Sequence, residues 1–224
     1  MVKMLWSYQK SGSEWVKFMI AHMENGGPLG SWQEYTDAIP GARDDPKKRR
    51  FGWCKTHEAQ MPHAVPVSQS IGLIRHPLDI LVSSYRYRTV IDKNYEGSIR
   101  EYADGFIAAG GDVMFNRINM GDMYMFFRNA YSSRDTLIFR YEDLRKGGAE
   151  FFHKGLEMMD FGYSREQVDA AWEAMLPMNM MKLDDRNFLG DIRVEQYRDA
   201  LSREQIKRAE ETFWWAKEYL DYVF

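Results

Sequence analysis

Hydrophobic and polar positions along the 224-residue chain fall into short apolar runs separated by stretches of helical periodicity. Val2 to Ser7 alternates as a strand. After it, Trp15, Phe18, Met19 and Met23 recur at helical spacing, and Asn25-Gly26-Gly27 closes that helix. Gln69 to Arg75 is a mostly apolar run that reads as a buried strand, followed by His76-Pro77 and a helix through Asp79, Val82, Ser83 and Arg86. Pro77 suits a first helical turn, where its missing N–H is no loss. Thr136 to Phe139 predicts another buried strand that delivers Arg140-Tyr141-Glu142-Asp143-Leu144 at its carboxyl end. Ala149 to Asp160 and Arg165 to Met175 read as outer helices. Ser202-Arg203-Glu204-Gln205 is a capping-box signature for a last helix with an apolar face of Ile206, Ala209, Phe213 and Leu220. Residues 26–53, rich in Gly, Pro and charge, read as a loop, and residues 92–121 as short helices with connecting turns. The alternation of strands and helices predicts an α/β domain over residues 1–224, with three α/β/α layers around a mostly parallel central sheet.

Composition narrows the function classes. Apolar residues make up 45% of the chain, ample for one core, and the net charge of −3 gives no electrostatic footing for nucleic acid. The basic run Lys47-Lys48-Arg49-Arg50 reads as solvated surface, with a lesser reading in which it draws in an anionic acceptor or cofactor. A single cysteine, Cys54, excludes an internal disulfide framework, and there is neither a signal peptide nor an apolar run of about 18 residues. The expectation is a soluble, cytoplasmic protein with no membrane contact.

The chemistry starts at Tyr8-Gln9-Lys10-Ser11-Gly12-Ser13-Glu14-Trp15. A strand, a glycine turn and a helix aim backbone N–H groups and the positive end of a helix dipole at an anion. Lys10 adds a mobile charge, and Ser11 and Ser13 add short hydroxyl donors. The order differs from the Walker loop, in which the lysine follows the second glycine and precedes Ser or Thr. By itself this segment is as consistent with an ordinary strand-turn-helix corner as with a phosphate site. Likewise His57 alone reads as a structural histidine, Trp15 as core and Arg75 as a strand-end charge. No pairing such as H-E-x-x-H or C-x-x-C points to a metal.

Taken together, the segments resemble the cytosolic-type sulfotransferases that use 3′-phosphoadenosine 5′-phosphosulfate (PAPS), and the resemblance spans nearly the whole chain. Tyr8 to Trp15 is similar to the 5′-phosphosulfate loop Y-P-K-S-G-T-x-W, and Cys54-Lys55-Thr56-His57 to the K-T-H element. Arg75 to Tyr85 is similar to R-N-P-x-D-x-x-V-S-x-Y, which binds the 3′-phosphate, and Leu137 to Leu144 to the strand ending in Y-E-D-(M/L). The resemblance implies PAPS as co-substrate, the bisphosphate PAP as product, and no metal. It implies that Lys10 reaches the oxygen between phosphorus and sulfur, that Lys55 stabilises the sulfuryl oxygens, and that His57 is the general base. It also implies that Lys10, Ser11, Gly12 and Ser13 cradle the 5′ end, Arg75 and Ser83 hold the 3′-phosphate, Trp15 stacks on adenine, and Tyr141 bonds an adenine edge nitrogen. Residues 26–53 and 92–121 would lie on the acceptor side. Residues 185–201 would form a cofactor lid containing Arg186 and Asn187.

Some positions depart from the family pattern. Glu14 stands where Ser or Thr usually touches the 5′-phosphate, so an anion there should repel the cofactor unless it points away or pairs with a cation. Asp185 replaces an arginine of the lid and Ile192 a tryptophan. Met114, Phe115, Met120, Met123, Tyr124 and Phe127 suggest a partly apolar pocket for a small phenol, alcohol or lipid-like acceptor, and equally suggest helix core. Two alternatives to catalysis of sulfuryl transfer to a hydroxyl, or less often an amine, stay open. One is a sulfotransferase-like protein that binds PAP without turnover; the other is a nucleotide kinase of related fold.

Overall fold

The computed structural model describes residues 1–58, 66–112, 119–123, 125, 136–183 and 193–224. Its centre is a sheet of four parallel strands, β1 (Val2–Ser7), β2 (Trp53–Thr56), β3 (Val67–Ile74) and β4 (Thr136–Arg140), in the order β2-β1-β3-β4. Parallel sheets need both faces covered, and the alternation of side chains supplies two cores. Leu5, Trp53, Ile71, Leu73 and Phe139 face one layer, while Met4, Trp6, Cys54 and Ile74 face the other.

The first layer contains α1 (Ser13–Asn25), α2 (Trp32–Ala38), α5 (Tyr141–Met158), α6 (Arg165–Ala174) and α7 (Pro177–Leu183). The second contains α3 (Pro77–Arg86), α4 (Ile99–Ala109), α8 (Tyr197–Ala200), α9 (Arg203–Thr212) and α10 (Trp214–Leu220). This is the three-layer α/β/α arrangement expected from the pattern. Met120 and Met123 are buried in the second core. Met114, Phe115, Tyr124 and Phe127 lie outside the described residues.

Three element boundaries differ from expectation. Residues 26–53 are not wholly a loop: α2 is capped by Ser31, whose hydroxyl accepts the Glu34 N–H. Local capping and the burial of Trp32 and Tyr35 outweigh the Gly and Pro content. The helix expected from Ala149 begins at Tyr141, and its change of direction is absorbed at Gly148, with φ 66° and ψ −160°. The single last helix is two, α9 and α10, broken at Phe213, whose φ of −102° and ψ of 33° leave the helical region while its ring stays in the core. Ser202 and Gln205 do form the expected reciprocal capping box.

Candidate functional site

Register decides what can meet. Ser7 pairs with Leu73, Trp6 with Thr56, and Ile74 with Arg140, so the residues that follow β1, β2, β3 and β4 emerge along one edge. The chain leaves β1 toward β2 on one side and later returns to β3 on the other, which makes the β1–β3 gap the switch point where ligands bind in such sheets. The turn 8–12, Arg75, His57 and Tyr141 all sit at this carboxyl edge.

The turn is strained in a useful way. Lys10 has φ 64°, a left-handed conformation that costs a non-glycine residue about 1–3 kcal/mol. Gly12 follows at φ 92°, and a Cβ there would come within 2.6 Å of the Tyr141 ring. No side chain caps α1 at Gly12; the Trp15 N–H turns back to the Gly12 carbonyl at 3.1 Å, which leaves the N–H groups of Ser13 and Glu14 as the uncapped start of the helix. Ser11 is fully buried and its Oγ has no hydrogen-bond partner among the described residues. Ser13 begins α1 and is buried beside it. Tyr8 anchors the turn from behind, its hydroxyl accepting the Asp112 N–H at 2.9 Å.

Arg75 reaches the same place from β3. One of its N–H groups (Nη1) donates to the Lys10 carbonyl at 3.2 Å, and its guanidinium lies over the Tyr141 ring at 4.4 Å. The residue is 7% exposed, yet Nε and Nη2 have no partner among the described residues. Buried polar groups are nearly always bonded, so these donors and Ser11 Oγ stand out as unmatched polar atoms among the described residues at this edge. Lys10 Nζ lies 4.2 Å from the centre of the Tyr87 ring. Burial, opposed by Glu14 and reinforced by Lys55 and Arg75, lowers the Lys10 pKa to about 8. Ser83 is half-buried on α3, in the second turn after Pro77.

Across β1, Lys55 and His57 come from the end of β2. His57 Nδ1–H donates to the Ser7 carbonyl at 2.8 Å, which leaves the lone pair on Nε2. Burial, then the Lys55 charge, lowers the His57 pKa to about 3, so the imidazole is neutral at physiological pH. Glu14, the departure noted in the sequence, does pair with cations. Its carboxylate binds Lys55 and, at 2.6 Å, Lys17 one turn along α1. Burial would raise the Glu14 carboxyl, but the two lysines outweigh it and hold it well below the usual carboxylate range. Lys17 was not among the residues singled out from the sequence, although its i,i+3 relation to Glu14 was visible there.

Trp15 and Tyr141 are both buried in the first core. Trp15 donates to the Met175 carbonyl at 2.9 Å, with its ring edge-on to Trp172 and Tyr141 and Arg145 on one face. Tyr141 fills the space against Gly12 and Arg75. Below them, Glu142 accepts the His76 N–H and the Tyr222 hydroxyl, each at 2.9 Å. His76 is stacked on Tyr197 and packed by Tyr222 and Phe224. Asp79 accepts the Glu195 N–H at 2.8 Å, which fastens the segment after residue 193 to α3. Arg186 and Asn187 lie outside the described residues. Among the described residues no three His, Cys, Asp or Glu side chains converge in a way that could hold a metal ion, and no helix is long and apolar enough to cross a membrane.

No protein-family model matches the chain, and no curated protein does. Solved structures do. Mouse sulfotransferase SULT7A1, complexed with PAP, superposes with a TM-score of 0.74 at 18% identity, over 98% of this chain and 84% of that one. Retinol dehydratase in complex with androsterone and the inactive cofactor PAP gives 0.67 at 16% identity, over 99% and 82%. The same enzyme with retinol and PAP gives 0.66 at 17% identity, over 99% and 82%. The parallel four-stranded sheet, its helical layers and the strand-turn-helix at its switch point are therefore the sulfotransferase fold.

Proposed function

We propose that this protein transfers a sulfuryl group from PAPS to a hydroxyl of a small acceptor, as one domain in the cytoplasm. The observation that supports this most is the buried Arg75 guanidinium, which bonds the Lys10 carbonyl and keeps two donors without a partner among the described residues. PAPS supplies an activated sulfate: its S–O bond to the phosphate oxygen breaks, the electron pair leaves with PAP, and a new S–O bond forms to the acceptor.

In this reading Ser11, Gly12, Ser13 and Lys10 hold the 5′ end, and Arg75 with Ser83 holds the 3′-phosphate. Trp15 and Tyr141 border the adenine, and residues 185–201, with Arg186 and Asn187, close over it. Lys10 and Lys55 offset charge that grows on the leaving and sulfuryl oxygens, the usual source of rate in such transfers. His57 Nε2 takes the acceptor proton, its ring oriented by the Ser7 carbonyl. A pKa of about 3 makes it always available but a weak base; an anion beside Lys55 removes part of the repulsion that depresses it. No step requires a metal.

Mass spectrometry of acceptor mixtures incubated with PAPS tests the reading. A product about 80 Da heavier, the mass of SO₃, is expected from the wild type, and at least about a hundredfold less from His57→Ala with PAP binding retained. Equal activity of the two proteins would remove His57 from this role. A second reading, PAP binding without turnover, is favoured by the engagement of Lys55 with Glu14. Tight PAP binding with no transfer to any acceptor would establish it.

A further inference from the structure

Beside Lys55, Thr56 and His57 opens a cavity of about 970 Å³. Its floor is backbone. Residues 40–42 run alongside β2, with the Lys55 N–H donating to the Pro40 carbonyl at 2.9 Å and the Ala42 N–H to the Lys55 carbonyl at 2.8 Å. Ala38, Ile39 and Ala42 line it and are themselves almost wholly buried. Among the described residues no Phe, Tyr or Trp lines it.

Most of the other side chains around it are charged, of both signs. Lys17 and Lys55 stand at the inner end, both paired with the single carboxylate of Glu14. Arg43 and Glu58 form a rim pair at 2.7 Å. Asp37 is exposed on α2, and its Oδ1 accepts from Gln33 at 2.9 Å. Lys48 is exposed, with no side-chain partner among the described residues. A flat apolar acceptor would strip water from these groups and return no hydrogen bonds. Hydroxyl groups donate and accept, so they satisfy carboxylates and ammonium groups alike. The small cavity lined by Met120 and Met123 lies elsewhere, against Tyr8, Ser11 and Arg75, and encloses only about 20 Å³.

We infer that the acceptor is a hydroxyl-rich polar molecule of the carbohydrate or polyol class, bound in this cavity with one hydroxyl at His57. The inference rests on the transferase reading and names its acceptor. The chosen hydroxyl gives its proton to His57 Nε2 and its oxygen to sulfur, and PAP leaves with the electron pair of the broken S–O bond.

The test is a competition among three acceptor groups given PAPS and the full chain: oligosaccharides and polyols, simple phenols, and sterols with fatty alcohols. Sulfated products are expected in the first group, with kcat/KM at least about tenfold above the best phenol. Asp37→Asn and Lys48→Ala, both surface changes, should raise the KM for the preferred acceptor at least about fivefold and leave the Kd for PAP unchanged. Calorimetry on the PAP-saturated protein should show the same acceptor binding, weakened by the same substitutions. Preference for phenols or sterols would overturn this inference and leave the transferase reading standing, as would an acceptor KM unmoved by both substitutions. PAP binding with no transfer to any group would overturn both.

Discussion

Replacing Glu14 with glutamine keeps the shape of the side chain and removes its charge. Lys17, with a side chain only 4% exposed, and Lys55, at 13%, would then share a site with no counter-ion. A unit pair near 4 Å is worth about 4 kcal/mol at an effective dielectric constant of about 20, and removing one partner of a buried pair typically costs about 3–5 kcal/mol. The Glu14 side chain is 22% exposed, so water recovers part of this; a loss of about 2–3 kcal/mol is expected. For a chain of this size that corresponds to a fall in Tm of about 4–12 °C. Thermal melts at pH 7, with and without PAP, measure it. The variant should melt earlier alone and gain more from PAP than the wild type does, because the bound anion supplies the missing negative charge. The difference between the two proteins also has a defined pH dependence. The folded-state pKa of Glu14 lies below its ordinary 4.5, so its contribution is complete above 4.5 and declines as pH falls below that value. A variant that melts with the wild type at pH 7, or that gains less from PAP, would refute the idea that Glu14 neutralises Lys17 and Lys55.

Arg75→Ala should weaken PAP binding about 10–100-fold by calorimetry, the usual cost of losing hydrogen bonds to a charged group; an unchanged Kd would contradict the 3′-phosphate assignment. Lys10, with a pKa of about 8, is half protonated at that pH and largely neutral above it, so PAP affinity should begin to fall between pH 7 and 8 and fall further toward 9.5, whereas Lys10→Arg should flatten the profile; a wild-type profile as flat as the variant's would place Lys10 away from the anion. Burial lowers the His76 pKa from 6.5 to about 3, so the unfolded chain binds more protons across that window and stability is lost as pH drops from 6.5 toward 3. His76→Asn should reduce that slope in urea melts, and an unaltered slope would show that His76 is not held neutral.

The fold was legible because its signals are local and agree with one another. β1, the glycine turn and α1 follow from alternation, backbone freedom at Gly12 and the helical recurrence of Trp15, Phe18 and Met19. The meeting of Lys10 with Arg75 was legible only through the resemblance, since no periodicity joins residues that far apart in sequence. α2 was missed although Ser31-Trp32-Gln33-Glu34 has the spacing of a capping box, because Gly and Pro around it dominated the reading. The break at Phe213 carries no Gly or Pro and comes from tertiary packing of its ring. At the site, Glu14 was legible as an anomaly, but its resolution needed Lys55 brought in from β2, which only sheet register supplies. The polar character of the cavity was hidden for the same reason: its walls come from segments that composition had marked as surface.

The position of β1 has a consequence for how the molecule is made. This strand pairs with residues 53–56 on one side and 67–74 on the other, so its apolar run Met4-Leu5-Trp6 has no native partner until those stretches have left the ribosome. At about 5–20 residues per second it waits several seconds with both edges bare, a window in which misassociation competes with folding. Synthesis slowed between residues 7 and 53 would lengthen that exposure and lower soluble yield, whereas slowing after residues 67–74 have left the ribosome would not.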